Sequence, residues 1–174
     1  MTNIKAAAEQ IIAHRVIGPL VVSDSSLIEH TWTHKASDLD CLFQARPDLV
    51  CHGGRVVIEL KTCQDASPEA FAGDIGKYGY DIQAALYRDV LKAEGVPVEA
   101  YIWVAVELSA PWLCACYSPD ADTIEAGRTA YKNAAMLWKT CVETGKWPGY
   151  ESKIKTIGMR PWNIKQRMTM REGE

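Results

Sequence analysis

At 174 residues, with a formal net charge of −3, 48% hydrophobic and 24% charged residues, the chain has the size and composition of one globular domain with a substantial core. The slightly acidic balance excludes a histone-like coat of positive charge, so any contact with nucleic acid has to come from a local basic patch. No signal peptide or membrane-spanning run is present, and the six cysteines (41, 51, 63, 114, 116, 141) have neither Cys-x-x-Cys nor zinc-finger spacing, which points to reduced thiols in a cytoplasmic protein.

Residues 3–15 form an amphipathic helical stretch, with alanines and Ile11-Ile12 on its apolar side. Residues 16–22, with Gly18-Pro19, read as a loop entering a strand. Residues 25–33 alternate as a strand, and 36–39 are polar turn material. From Leu42 a strand begins that leads to Gly53-Gly54, a dipeptide suited to a two-residue hairpin turn because glycine reaches φ > 0 cheaply. Facing residues then have numbers summing to 107, which sets Asp48 opposite Glu59 on one face of the sheet, with Lys61 two residues further along the same face. The same rule sets Arg46 opposite Lys61, so the strands should splay at Pro47.

Two facing carboxylates repel unless a cation lies between them, and oxygen ligands of this kind suit Mg²⁺ or Mn²⁺ better than Zn²⁺. An ammonium beside them adds positive charge where an oxyanion could develop, so the trio fits metal-assisted attack of water on a phosphodiester. The apolar flanks Val56-Val57-Ile58 and Leu60 bury the strand that carries Glu59.

Beyond the hairpin, Ser67-Pro68-Glu69 opens a helix, with serine as N-cap and proline in the first turn. Gly73, Gly76 and Gly79 should keep that helix short. A longer helix is predicted over 80–93, closed by Gly95 and Pro97, with Gln83 and Tyr87 four apart on one face. Residues 99–107 read as a buried strand and 112–117 as its antiparallel partner, with Cys114 and Cys116 on one face. Asp120 or Asp122 caps a long helix to about Thr144, whose apolar stripe is read as Ala126, Ala130, Ala134, Leu137, Trp138 and Cys141, and Gly145 ends it. The chain divides into a domain over 1–150 and a basic extension over 151–174, in which Lys153, Lys155, Arg160, Lys165, Arg167 and Arg171 accompany Trp162. Such a tail is a solvated or subunit-contacting extension, or tracks a phosphate backbone.

Arg46-Pro47-Asp48, ten intervening residues and Glu59-Leu60-Lys61 resemble the PD-(D/E)XK nuclease signature. The run from Lys77 to Tyr87 is similar to the Gln-x-x-x-Tyr motif of the RecB-like branch. With Trp147-Pro148-Gly149-Tyr150, the whole resembles the exonuclease VIII (RecE-type) group of phage and prophage recombination exonucleases. The resemblance implies an α/β fold with a mixed central β-sheet flanked by helices, and a Mg²⁺-dependent (or Mn²⁺-dependent) exonuclease that digests duplex DNA 5′ to 3′ for single-strand annealing. It implies that Asp48, Glu59 and the Leu60 carbonyl bind the metal. Lys61 orients water or stabilises the transition state, Gln83 holds water or a phosphate, and Tyr87 packs or contacts DNA. By analogy it also implies a ring-shaped trimer and a single-strand annealing protein as partner. The family commonly carries a metal-binding histidine and an acidic residue ahead of the hairpin. On the short first helix only Glu9 and His14 offer those residue types, and neither sits in a recognisable form of that motif. An alternative is therefore a weak or inactive nuclease-fold DNA-binding or assembly protein that acts with a partner.

Overall fold

The computed structural model describes residues 2–169, and Arg171 of the basic extension lies outside them. At its centre is β5 (Val56–Cys63), paired on both sides. On one side β5 runs antiparallel to β4 (Leu49–Cys51), which pairs in turn with the two-residue β1 (Leu27–Ile28). On the other it runs parallel to β6 (Ala100–Glu107), and β6 pairs antiparallel with β7 (Cys114–Tyr117). The order β1-β4-β5-β6-β7 is a mixed sheet with a single parallel step. A parallel neighbour needs a long crossover, supplied by α3 (Pro68–Tyr78) and α4 (Tyr80–Ala93).

Alternation along β5 sorts its side chains between two cores. Val57 and Cys63 belong to the larger one, with Phe71, Leu91, Tyr101, Trp103 and Tyr131, under α3, α4 and α5 (Ala121–Thr144). Val56 and Ile58 belong to the smaller one, with Ala7, Ile11 and Ile17, under α1 (Thr2–Ala13) and α2 (Gly18–Val21). Each large side chain buried here stabilises the fold by roughly 1.5–3 kcal/mol. With helices on both faces, the architecture is the mixed α/β class expected.

Several local expectations are corrected. Residues 16–22 are not a loop entering a strand, because Gly18-Pro19 open the one-turn helix α2, where proline's missing N–H costs nothing. Residues 25–33 are not one strand. Glu29 takes φ 52° and separates β1 from β2 (Trp32–Ala36). The strand expected from Leu42 also breaks, at Arg46-Pro47-Asp48. β3 (Cys41–Ala45) pairs with β2 in a separate two-stranded sheet, and only β4 joins the main one. The hairpin turn spans residues 52–55 instead of two glycines, with positive φ at His52, Gly53 and Gly54. Cys51 nevertheless pairs with Val56 and Leu49 with Ile58, so the register is the one expected.

α3 runs uninterrupted through Gly73 and Gly76 and ends at Gly79, which takes φ 69°. α4 has its expected bounds, and Asp120 caps α5 by accepting the Thr123 N–H at 2.7 Å. The buried stripe of α5 differs from the alanine stripe expected. Ile124, Gly127, Tyr131, Ala135 and Cys141 are buried, whereas Ala126, Ala134, Leu137 and Trp138 are exposed. Gly127 accounts for the offset, since a Cβ there would lie 2.2 Å from the Asp81 carbonyl oxygen of α4. Asp89 of α4 clasps the two helices by accepting from Arg128 at 2.7 and 2.9 Å and from the Tyr131 hydroxyl at 2.8 Å. The extension carries the helix α6 (Pro161–Thr169), whose side chains are exposed throughout. No helix among the described residues is long and apolar enough to cross a membrane.

Candidate active site

The site lies where β4 parts from β5. Val50 belongs to the larger core, so Asp48, two residues before it, takes the same side of the sheet as Glu59 and Lys61. Asp48 Oδ2 accepts the Leu60 N–H at 2.7 Å. In a continued antiparallel ladder, Leu60 would exchange both backbone bonds with residue 47. That residue is proline and has no N–H to give, so the ladder cannot claim the Leu60 carbonyl there.

Glu59 is 3% exposed, and its Oε1 is a buried oxygen without a hydrogen-bond partner. Burial first, and then the Asp48 charge, push its carboxyl up to about 8, with partial opposition from Lys61. Lys61 Nζ lies 3.5 Å from Glu59 Oε2 and donates to Gln83 Oε1 at 2.6 Å. It also sits 4.6 Å from the centre of the Tyr80 ring. Tyr87, one turn beyond Gln83, is half-buried against the larger core.

Asp48, Glu59, Leu60, Lys61 and Gln83 therefore converge, whereas Tyr87 packs against the larger core. Glu9 and His14 do not join them. α1 covers the opposite face of the sheet, and His14 beyond its end accepts from the Val16 and Ile17 amides through Nδ1 at 3.3 and 3.2 Å. Its Nε2 lies 3.7 Å from Cys116 Sγ. Among the described residues no three His, Cys, Asp or Glu side chains cluster as a metal cage. The donor set is two carboxylates and a backbone carbonyl, all oxygen, which fits a hard divalent cation such as Mg²⁺. The unpaired Glu59 oxygen is the atom such an ion would satisfy.

Tyr80 and Tyr101 were not singled out by the sequence. Tyr101 is buried beneath the acids with its hydroxyl unpaired, and burial together with the charge of Glu59 holds that hydroxyl's proton well above the usual phenol range. A polar-tipped aromatic in the apolar run of β6 was the only available signal. For Tyr80 the signal was its place at the start of the glutamine–tyrosine helix.

A mixed sheet opened at a proline, with two acids and a lysine on one face, is the PD-(D/E)XK class of fold. The chain belongs to the family described as PDDEXK-like domain of unknown function (DUF3799), whose model matches residues 23–158. No curated protein matches it. It is similar in fold to the crystal structure of a "Putative exonuclease" from Eubacterium rectale, with 12% identity and a TM-score of 0.55. That alignment covers 91% of this chain and 64% of the other, so the chain spans less than two thirds of that protein's length. The crystal structure of SSO0001 aligns at 15% identity with a TM-score of 0.42, over 71% of this chain and 60% of the other.

Proposed function

We propose that the chain is a divalent-cation-dependent deoxyribonuclease, an exonuclease using Mg²⁺ or Mn²⁺. The observation that carries this reading is Glu59, a buried carboxylate with an unpaired oxygen, set beside Asp48 and a lysine where β4 parts from β5. Asp48, Glu59 and the Leu60 carbonyl would hold the cation. When bound, it supplies Lewis-acid polarisation of the phosphate and a more acidic water. The Leu60 N–H fixes the Asp48 carboxylate. Gln83 and the Tyr80 ring hold the Lys61 ammonium in place, where it offsets negative charge growing on the phosphate oxygens. Water oxygen would add to phosphorus as the bond to the leaving sugar oxygen breaks, the water giving up a proton to solvent and the sugar oxygen taking one from solvent. Tyr87, one turn beyond Gln83 on α4, would pack or contact DNA.

Digestion of duplex DNA from 5′ to 3′, a role in recombination with a single-strand annealing partner, and a ring-shaped homo-oligomer follow from the resemblance to RecE-type exonucleases. A cytoplasmic location fits the same reading. The second reading, a DNA-binding or assembly protein of low turnover, is favoured by one observation. The face that carries the two acids has no third acidic or histidine ligand among the described residues. An end-labelled duplex incubated with Mg²⁺ and with EDTA decides between them. Mg²⁺-dependent shortening supports the enzyme, and a DNA shift without shortening supports the binding protein.

A further inference from the structure

The run Lys77-Tyr78-Gly79-Tyr80 does more than open α4. Gly79 takes φ 69° between α3 and α4, a left-handed conformation that turns the chain and brings the two flanking tyrosines together. Their rings stack at 5.6 Å with 29° between planes. Tyr80 is anchored from below by the buried Phe71 ring, 6.0 Å away, and Tyr78 is 56% exposed. Each ring carries a cation, with Lys61 4.6 Å from the Tyr80 centre and Lys77 4.6 Å from the Tyr78 centre. An aromatic ledge flanked by ammonium groups thus runs from the site's own lysine to solvent.

Beside the ledge opens a cleft of about 470 Å³ lined by Thr62, Gln64, Asp65, Asp74 and the two tyrosines. It begins one residue after Lys61. Its two carboxylates repel phosphate, while with Thr62 and Gln64 they offer hydrogen-bond acceptors and donors to the edge of a base. We propose that this cleft is a nucleobase subsite, in which one unstacked base of a single strand lies on Tyr78 while its backbone follows Lys77 and Lys61. The inference rests on the reading of the site as one that acts on nucleic acid, and deepens it. A base can reach Tyr78 only after leaving its duplex stack, so the strand presented to Lys61 is a single-stranded or frayed end. The ring lies within about 10 Å of the Lys61 ammonium, which at about 3.4 Å per stacked nucleotide sets the held base within about three nucleotides of the phosphate that is cut.

The test is fluorescence anisotropy in EDTA, where no cleavage occurs, with a labelled short oligothymidylate and a base-free strand of equal length. The wild-type chain should bind the base-bearing strand about ten-fold more tightly, in the range of base–aromatic stacking. Tyr78→Ala should abolish that preference, and Tyr78→Phe should retain it. A wild-type chain without base preference, or Tyr78→Ala with the preference intact, overturns the subsite. If the preference is present but Mg²⁺ supports no cleavage of an end-labelled duplex, the nuclease reading falls and the subsite stands. Cleavage without base preference removes the subsite and leaves the nuclease reading in place.

Discussion

Lys61 donates to Gln83 Oε1 at 2.6 Å, joining β5 to the first turn of α4. This bond sets where the ammonium points, because Glu59 is more distant at 3.5 Å and Tyr80 constrains only one side. Lys61→Ala should lower turnover by roughly 10²–10³-fold, the cost of losing one preorganised charge. Gln83→Ala should lower it by about ten-fold, since the ammonium stays but loses its orientation. Calorimetry should find Mn²⁺ binding unchanged in both. Metal binding that disappears with Lys61 would make its role structural.

The two carboxylates should behave differently from the lysine. Asp48→Ala or Glu59→Ala should abolish metal-dependent cleavage while the fold persists, because removing one acid relieves repulsion across the register. With two carboxylates and one carbonyl, affinity for Mg²⁺ should be weak, on the order of millimolar. Glu9→Ala and His14→Ala should leave that affinity unchanged, because α1 lies on the other face of the sheet. A fall in Mn²⁺ binding on either of these last substitutions would show that the donor set assigned here is wrong.

Glu59 also predicts how stability responds to pH. Its carboxyl titrates near 8 in the folded chain, against an ordinary value of 4.5. Between those values the unfolded chain has released the proton that the folded chain keeps, so rising pH favours unfolding. The loss begins near the lower value, is complete above the upper one, and amounts to a few kcal/mol at about 1.4 kcal/mol per pH unit between them. In EDTA, thermal melts should show the wild type losing stability relative to Glu59→Gln as pH rises across this window. Mg²⁺ should recover part of the loss at alkaline pH. Parallel pH profiles for the two proteins would refute the burial argument.

Gly127 offers a test of the scaffold. In an open helix, glycine to alanine stabilises by about 1 kcal/mol. Here the new Cβ would meet the Asp81 carbonyl oxygen at 2.2 Å and its carbon at 2.4 Å, both backbone atoms that yield only if α4 moves. Gly127→Ala should therefore destabilise by roughly 1–3 kcal/mol, read by chemical denaturation. Because Gln83 lies two residues beyond Asp81, turnover measured well below the melting temperature should fall as well.

What the sequence disclosed follows period and punctuation. Alternation about Gly53-Gly54 put Asp48, Glu59 and Lys61 on one face, and the wider turn left that register intact. Gly79 and Gly95 bracketed α4. What stayed hidden depends on contacts between distant segments. Tyr80 meets Lys61 only because α3 carries the chain back over the sheet. The α5 stripe was displaced because Gly127, with no side chain to register as apolar, is where the helices come closest. β3 left the main sheet for β2, a choice between two partners that local pattern does not rank.

Pro47 gives the site an unusual kind of robustness. The gap between β4 and β5 is kept by a hydrogen atom that proline does not possess, so it needs neither ligand nor spring to stay open. An alanine there would bring an amide able to take the Leu60 carbonyl, and the Leu60 N–H would turn from Asp48 to the new backbone partner. One more rung would close like the next tooth of a zipper. The sheet would gain a hydrogen-bonded pair, and the mouth of the site would be sewn shut by the most ordinary interaction in the fold.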